Sequence, residues 1–172
     1  MDLSLCYLVQ KKEVIISNID PNPNVNGNGI KKLKKNNIKV ISGILAEEGK
    51  KINKRFYINH EKKRPYVVLK WAQTSDGFIA KEDGSSKWIS NKSSRTLVHK
   101  WRSEETGILI GVNTANNDNP RLNVRLWEGK DPVRIVIDPN NKLIDSNQIL
   151  TDKSISLIYN KTLNKVSGNK YF

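Results

Sequence analysis

Four short apolar runs, separated by polar or helix-forming stretches, constrain the fold of this 172-residue chain more than any other feature. They lie at 66–73, 106–113, 132–139 and 154–160. Each run is apolar at most positions, which is typical of strands buried on both faces of a parallel sheet. Asn91 or Ser90 is placed to cap a helix over 92–105, between the first two runs. The pattern predicts an α/β fold with a mostly parallel sheet and flanking helices.

The region before Pro65 has shorter elements. It predicts strands at 13–17 and 38–43, helices at 29–37 and 45–60, and a loop over the turn-rich residues 20–29. Gly49 weakens the second helix, because glycine is a poor helix former. Pro65 blocks further helix, so we predict one domain over 1–63 and a second over 64–172. The asparagine-rich stretch 113–120 predicts a loop.

Charge and cysteine content narrow the function classes. The chain has 30 Lys and Arg against 17 Asp and Glu, but only seven of the bases are arginine, the residue best suited to reading phosphates and guanines. We therefore expect no nucleic-acid partner, and keep a basic nucleic-acid-binding protein as the alternative from another class. No apolar run approaches the ~20 residues that cross a bilayer, and Cys6 is the one cysteine. A cytoplasmic protein without membrane contact or disulfides is expected.

Four stretches in order resemble the bifunctional deaminase/reductase family of riboflavin biosynthesis. They are RPYVVLKWAQTSDGFIA (64–80), SSKWISN (85–91), HKWRSEETGILIGVNTANNDNPRLNVR (99–125) and PVRIVID (132–138). The resemblance implies a dihydrofolate-reductase-like reductase domain, preceded by the end of a deaminase domain. It also implies a homodimer.

Some family motifs are missing from the sequence. The deaminase half of the family uses a His-x-Glu and a Pro-Cys-x-x-Cys to hold zinc, and neither is present. We expect no metal site and no deaminase activity. The family's reductase domain also continues beyond the strand at 154–160 with a glycine-rich cofactor segment, which 165–172 does not resemble. The expectation is therefore a truncated reductase, with a catalytically inert fragment as the alternative.

The resemblance implies a reaction and a set of site residues. NADPH would reduce the ribosyl group of 5-amino-6-(5-phosphoribosylamino)uracil, a phosphorylated pyrimidine, to a ribityl group. The residues implied for the cofactor are Ala72, Trp88, Thr114 and Asp118, and those for the substrate are Ser86, Arg102, Leu122 and Arg125. No catalytic proton donor is assigned.

Several of these residues have simpler explanations. Ala72 also suits core filling, and Trp88 suits anchoring of a loop. Arg102 is three residues from Glu105, a spacing that favours a surface ion pair on a helix. Asp76, in the turn TSDG, either orients substrate or stabilises the turn. The two histidines, His60 and His99, are expected to be structural.

Overall fold

The computed structural model describes residues 12–82, 84–85 and 89–172. The chain divides into two compact units, 1–69 and 70–172. Each unit is a separate body with its own sheet. Cys6, Ser86 and Trp88 lie outside the described residues.

The first unit is built on a β-α-β crossover. Strand β1 (Glu13–Ile16) pairs in parallel with β2 (Lys39–Ser42), and helix α1 (Asn28–Lys35) connects them. Leu33 and Ile38 are its buried apolar residues, at 2% and 7% exposure. The predicted strands and helix are therefore present. However, alternate residues of β1 are exposed, so the strand is only partly buried.

The predicted helix over 45–60 is two helices. Helix α2 (Ala46–Ile52) and helix α3 (Lys54–Lys62) are separated at Asn53. Gly49 lies on α2 against Ser17 and Asn18, whose side chains occupy the space that a Cβ would need. The Ser17 hydroxyl donates to the Leu45 carbonyl at 2.9 Å. The glycine therefore allows close approach of two segments, at the expense of helix propensity.

The second unit contains the larger sheet. Its elements are α4 (Lys92–Glu104), β3 (Gly107–Gly111), α5 (Val112–Asp118), β4 (Val133–Ile137), α6 (Gln148–Thr151), β5 (Ser156–Tyr159), β6 (Val166–Ser167) and β7 (Lys170–Tyr171). The strand order is β3-β4-β5-β7-β6, with every pairing parallel except that of β6 with β7. The predicted α/β fold with a mostly parallel sheet and flanking helices is confirmed.

The core of this unit follows from strand register. Ile110 pairs with Val136, which pairs with Ile158, so three apolar side chains lie in one row across the sheet. Val136 and Ile158 are buried, and Ala115 of α5 and Ile149 of α6 pack with them. Helix α4 begins as predicted, since the Asn91 side chain accepts from the Ser94 amide at 2.8 Å.

The prediction of a strand at 66–73 is wrong. The segment is neither helix nor strand, and among the described residues no strand pairs with it. Val67, Leu69 and Trp71 are 59%, 79% and 64% exposed. Apolar, β-branched residues favour an extended backbone, but a strand exists only where a neighbour supplies hydrogen bonds.

The prediction of a loop over 113–120 is also wrong, because most of it is helix α5. Tertiary contacts override the low helix propensity of asparagine. Ala115 is fully buried, and its carbonyl accepts from the buried Asn147 side chain at 2.6 Å. Asn116 donates from its side chain to the Lys142 carbonyl at 2.8 Å. The asparagines therefore attach α5 to the following loop.

Candidate active site

The second unit contains a cleft of about 1280 Å³ with a strongly positive lining. Helix α4 contributes one wall, the end of α5 and the loop 119–126 another, and Gln148 of α6 closes one side. The ionised side chains along it are Lys70, Arg95, Arg102, Arg121, Arg125 and Asp118. Five cations against one carboxylate make the cleft suited to a phosphorylated ligand.

The loop from Asn119 to Arg125 is held in a defined shape by side chains from other elements. Gln148 donates to Asn119 twice, from its backbone amide to Oδ1 at 2.8 Å and from its side chain to the carbonyl at 3.0 Å. Arg121 donates from Nε to the Gln148 side chain at 3.0 Å. Leu122 has a left-handed backbone, φ 55°, and is buried. Packing and hydrogen bonds therefore hold a conformation that leucine rarely adopts.

Asn123 binds both arginines that were predicted to serve the substrate. Arg102 donates from Nη1 to the Asn123 carbonyl at 3.1 Å, and Arg125 donates from Nη1 to Asn123 Oδ1 at 3.2 Å. Burial, and then the charge of Arg125, lower the pKa of Arg102. The Arg102 Nε is buried and has no partner among the described residues. Two neighbouring guanidinium groups with an unused donor favour binding of an anion.

His99 of helix α4 also lines the cleft and is almost completely buried, at 3% exposure. Its Nδ1 accepts a hydrogen bond from the backbone amide of Arg125 at 3.2 Å. Burial lowers the pKa of His99, and the charges of Arg102 and Arg125 lower it further. These contacts support a structural role for His99, in which its ring holds the loop that lines the cleft.

Four of the predicted site residues line this one cleft: Asp118, Arg102, Leu122 and Arg125. Thr114 lies on α5 and Ala72 in the segment after Lys70, and both are described but outside the lining. The site roles of Ser86 and Trp88, which fall outside the described residues, stay predictions, as do those of the other six. Thr114 and Asp118 belong to a helix and not to the expected loop.

Sequence reasoning missed Arg95, Arg121, Lys70 and Gln148 as lining residues. A signal for Arg95 was present. Arg95, His99 and Arg102 are spaced four and three residues apart, so they share one face of α4. Arg121 and Gln148 gave no comparable signal, because their approach depends on the fold of the loop.

Asp76 behaves as a turn residue. The Thr74 hydroxyl donates to the Asp76 carboxylate, and the Gly77 amide donates to the Thr74 carbonyl at 3.0 Å. Asp76 is exposed and is not among the cleft residues. These contacts support the interpretation that it stabilises the turn.

Neither a cluster of metal ligands nor a membrane-spanning helix is present in the part of the chain that the structure describes. Within 12–82, 84–85 and 89–172, no three His, Cys, Asp or Glu side chains lie close enough together to hold a metal ion. Over the same ranges no helix combines the length and the apolar character that a bilayer crossing requires.

Comparisons with a family model and with curated proteins identify the same family. The model of the RibD C-terminal domain matches residues 65–170. Among curated proteins, "Riboflavin biosynthesis protein RibD" of Aquifex aeolicus is 41% identical over 156 residues, which are 90% of this chain and 44% of that protein. The protein of the same name from Actinobacillus pleuropneumoniae is 44% identical over 127 residues, 74% of this chain and 34% of that one.

Solved structures agree with the sequence comparisons. The Thermotoga maritima diaminohydroxyphosphoribosylaminopyrimidine deaminase/5-amino-6-(5-phosphoribosylamino)uracil reductase matches with a TM-score of 0.83 and 38% identity, over 92% of this chain and 45% of that one. Acinetobacter baumannii RibD matches with a TM-score of 0.81 and 31% identity, over 91% and 46% of the two chains. The chain thus spans less than half the length of these relatives. It belongs to the RibD family, and residues 65–170 are its RibD C-terminal domain.

Proposed function

We propose that this chain carries a reductase site of riboflavin biosynthesis, which reduces the ribosyl group of 5-amino-6-(5-phosphoribosylamino)uracil to a ribityl group. The observation that carries the proposal is the pair Arg102 and Arg125, bound to one asparagine in a cleft with five cations. The substrate has one phosphate, and guanidinium groups bind phosphate with charge-assisted, bidentate hydrogen bonds. The Thermotoga maritima relative is named as a reductase of this substrate.

In this proposal the arginine pair holds the substrate phosphate. Arg102 of helix α4 and Arg125 of the loop both line the cleft, so their guanidinium groups would share the phosphate. Leu122 would contact the substrate from the loop between them, with Ser86 added by the family resemblance. Fixing the phosphate and excluding water on one side would orient the sugar for reaction, because oriented binding replaces a bimolecular encounter.

The proposed cofactor is NADPH, which supplies a hydride to the sugar carbon when it is bound. The cleft fits a second phosphorylated ligand in charge, since Lys70, Arg95 and Arg121 remain beside the arginine pair. Asp118 lies at the end of α5 within the lining, where it would accept hydrogen bonds from hydroxyl groups. Thr114, Ala72 and Trp88 complete the proposed cofactor residues.

Residues 1–63 are proposed to be the end of a deaminase domain, with 64–172 as part of the reductase domain. We expect no deaminase activity, because the His-x-Glu and Pro-Cys-x-x-Cys motifs are missing from the sequence. The homodimer implied by the family stays a proposal, for which oligomeric state in solution is the test.

A second candidate is a phosphate-binding chain without turnover. It is favoured by the segment 66–73, which holds Ala72 and Lys70 but joins no strand among the described residues. An assay of NADPH oxidation with the phosphoribosylaminouracil substrate decides between the two. Substrate-dependent oxidation, lost in an Arg102→Ala/Arg125→Ala double variant, supports the reductase. Ligand binding without oxidation supports the second candidate, and absence of both overturns the assignment of the cleft.

A further inference from the structure

The contact between His99 and Arg125 has a consequence for the state of the imidazole. Nδ1 of His99 accepts the backbone N–H of Arg125 at 3.2 Å, so Nδ1 carries no proton. The ring must then be neutral, with its proton on Nε2. A protonated ring would present a second N–H to the Arg125 amide, and the hydrogen bond would be lost.

The charges around His99 oppose its protonation. On its own helix, Arg95 lies four residues before His99 and Arg102 three residues after it, each about one turn away. The loop 119–132 adds Arg121 and Arg125. Lys70 adds a further cation to the same cleft. Acidic groups are also present: Asp118 of α5 is in the lining, Asp131 accepts from the Val124 amide at 2.7 Å, and Glu104 and Glu105 lie at the end of α4. Burial lowers the pKa of His99, the two arginines Arg102 and Arg125 lower it further, and a hydrogen bond to the Asn123 backbone raises it in part.

His99 connects the segments that carry Arg102 and Arg125. It lies three residues before Arg102 on α4, and its ring accepts from the backbone amide of Arg125 in the loop. Asn123, two residues before Arg125, accepts from both guanidinium groups. The direction of the loop at Arg125 therefore sets whether the two guanidinium groups converge.

We propose that His99 is a positioning residue for the anion site: its unprotonated Nδ1 holds the Arg125 backbone so that Arg102 and Arg125 converge on a phosphorylated ligand. Protonation of His99 releases the loop and lowers affinity for the phosphate group. This inference rests on the proposed function for the identity of the ligand, but the contact itself does not depend on turnover.

The binding test uses ribose 5-phosphate as the probe, measured by calorimetry from pH 7.5 to about pH 4 on the wild type and two variants, because the pKa of His99 lies below its ordinary value. His99→Asn keeps an acceptor close to the Nδ1 position and cannot gain a charge, whereas His99→Leu lacks the acceptor. At pH 7.5 we expect His99→Leu to bind roughly tenfold more weakly, as for loss of an ordered charge-assisted contact, and His99→Asn to bind like the wild type. Burial and the two arginines lower the pKa of His99 below the ordinary 6.5, so the wild type should lose affinity more steeply than His99→Asn only at the acid end of this range.

The comparison with His99→Asn removes the titration of the probe's own phosphate, which is common to both proteins. Equal pH profiles for wild type and His99→Asn would overturn the proposal. So would a rise in wild-type affinity at low pH relative to His99→Asn, since that result would make His99 a cation that attracts the ligand directly.

A second measurement separates this proposal from the proposed function. The backbone amide signal of Arg125 is followed by NMR through the titration of His99, with a His60→Asn variant to assign the only other histidine. We expect the amide to follow the His99 titration in the wild type and to stay constant in His99→Asn. If the probe fails to bind but the amide still follows His99, the ligand assignment is wrong and the positioning contact stands. If the amide ignores the titration, the positioning role is refuted whatever the probe does.

Discussion

Asp152 binds both terminal nitrogens of the Arg134 guanidinium, with oxygens at 2.6 and 2.5 Å. Arg134 is the second residue of strand β4 and its side chain is 2% exposed, whereas the Asp152 side chain is 38% exposed. Lys170 of β7 reaches the same aspartate, donating from Nζ to its carbonyl at 2.8 Å. Lys170 Nζ also lies 3.3 Å from Asp152 Oδ1, so the carboxylate neutralises the buried arginine of β4 and contacts the short strand β7 as well.

Removing this carboxylate should destabilise the protein strongly. In Asp152→Ala the buried Arg134 loses its counter-charge, and breaking a buried pair costs about 3–5 kcal/mol. We expect the low end of that range, because Asp152 is partly exposed. Urea unfolding measures the loss. The matched control is Glu13→Gln, which breaks the exposed pair with Lys39 and should cost less than about 1 kcal/mol. Equal losses in the two variants would contradict the account.

The same aspartate should make stability depend on acid. Burial raises the pKa of Asp152, but hydrogen bonds from Arg134, the Ser154 amide and Lys170 outweigh it, so the folded pKa lies below the ordinary 3.8. Stability from the ionised group is present above pH 3.8 and is lost as the pH falls through the folded pKa. The free energy of unfolding of the wild type and of Asp152→Asn, measured from neutral pH to below pH 3.8, tests this prediction. Their stability difference should shrink in acid, and a difference that grows would refute the sign.

Gly129→Ala should be more destabilising than an ordinary glycine replacement. Gly129 has φ 142°, and a Cβ there would lie 2.5 Å from Cβ of Ser103 on α4. Backbone strain and overlap should together cost about 2–4 kcal/mol. Gly168→Ala is the control, because φ is also positive there but nothing lies within 4 Å of the added Cβ. Thermal unfolding of both variants should place Gly129→Ala well below Gly168→Ala.

The arginine pair should serve substrate more than cofactor. Replacing Arg102 or Arg125 by alanine removes a charge-assisted contact worth about 1.5–3 kcal/mol, or roughly tenfold to hundredfold in kcat/KM. The loss should be found mainly in the KM for substrate, because a phosphate distant from the reacting carbon contributes uniform binding. Steady-state kinetics of the reductase, with each ligand varied in turn, measures it.

Trp88→Ala is the comparison for this experiment, since its indole is assigned to the cofactor. It should raise the KM for NADPH and leave the substrate KM nearly unchanged. Should both arginine variants keep the wild-type KM and kcat, their assignment to substrate is wrong.

The predictable part of this protein was local. Apolar runs gave β3, β4 and β5, and Asn91 marked the start of α4, because strand and helix preferences and end caps depend on neighbouring residues. The segment 66–73 has the same composition yet joins no strand among the described residues. Composition cannot distinguish the two cases, because pairing depends on what lies beside the segment.

The sequence identified residues of the candidate site but not the contacts between them. Arg102 and Arg125 were found by resemblance, but their shared partner Asn123 depends on the left-handed turn at Leu122. The burial of Arg134 was likewise not predictable from neighbouring residues. A charge within the run VRIVI suggests an exposed position, and its burial depends on Asp152, which is 18 residues further along the chain.

The outer edge of β3 is a predicted site of self-association, which one substitution should block. Within the described residues, β3 pairs with β4 alone, so its other edge offers free peptide groups over Gly107–Gly111. This stretch, GILIG, contains neither a charge nor a proline, the two features that usually keep such edges from joining in concentrated solution. Leu109, at 60% exposure, is the position where a lysine would supply that protection without disturbing the core.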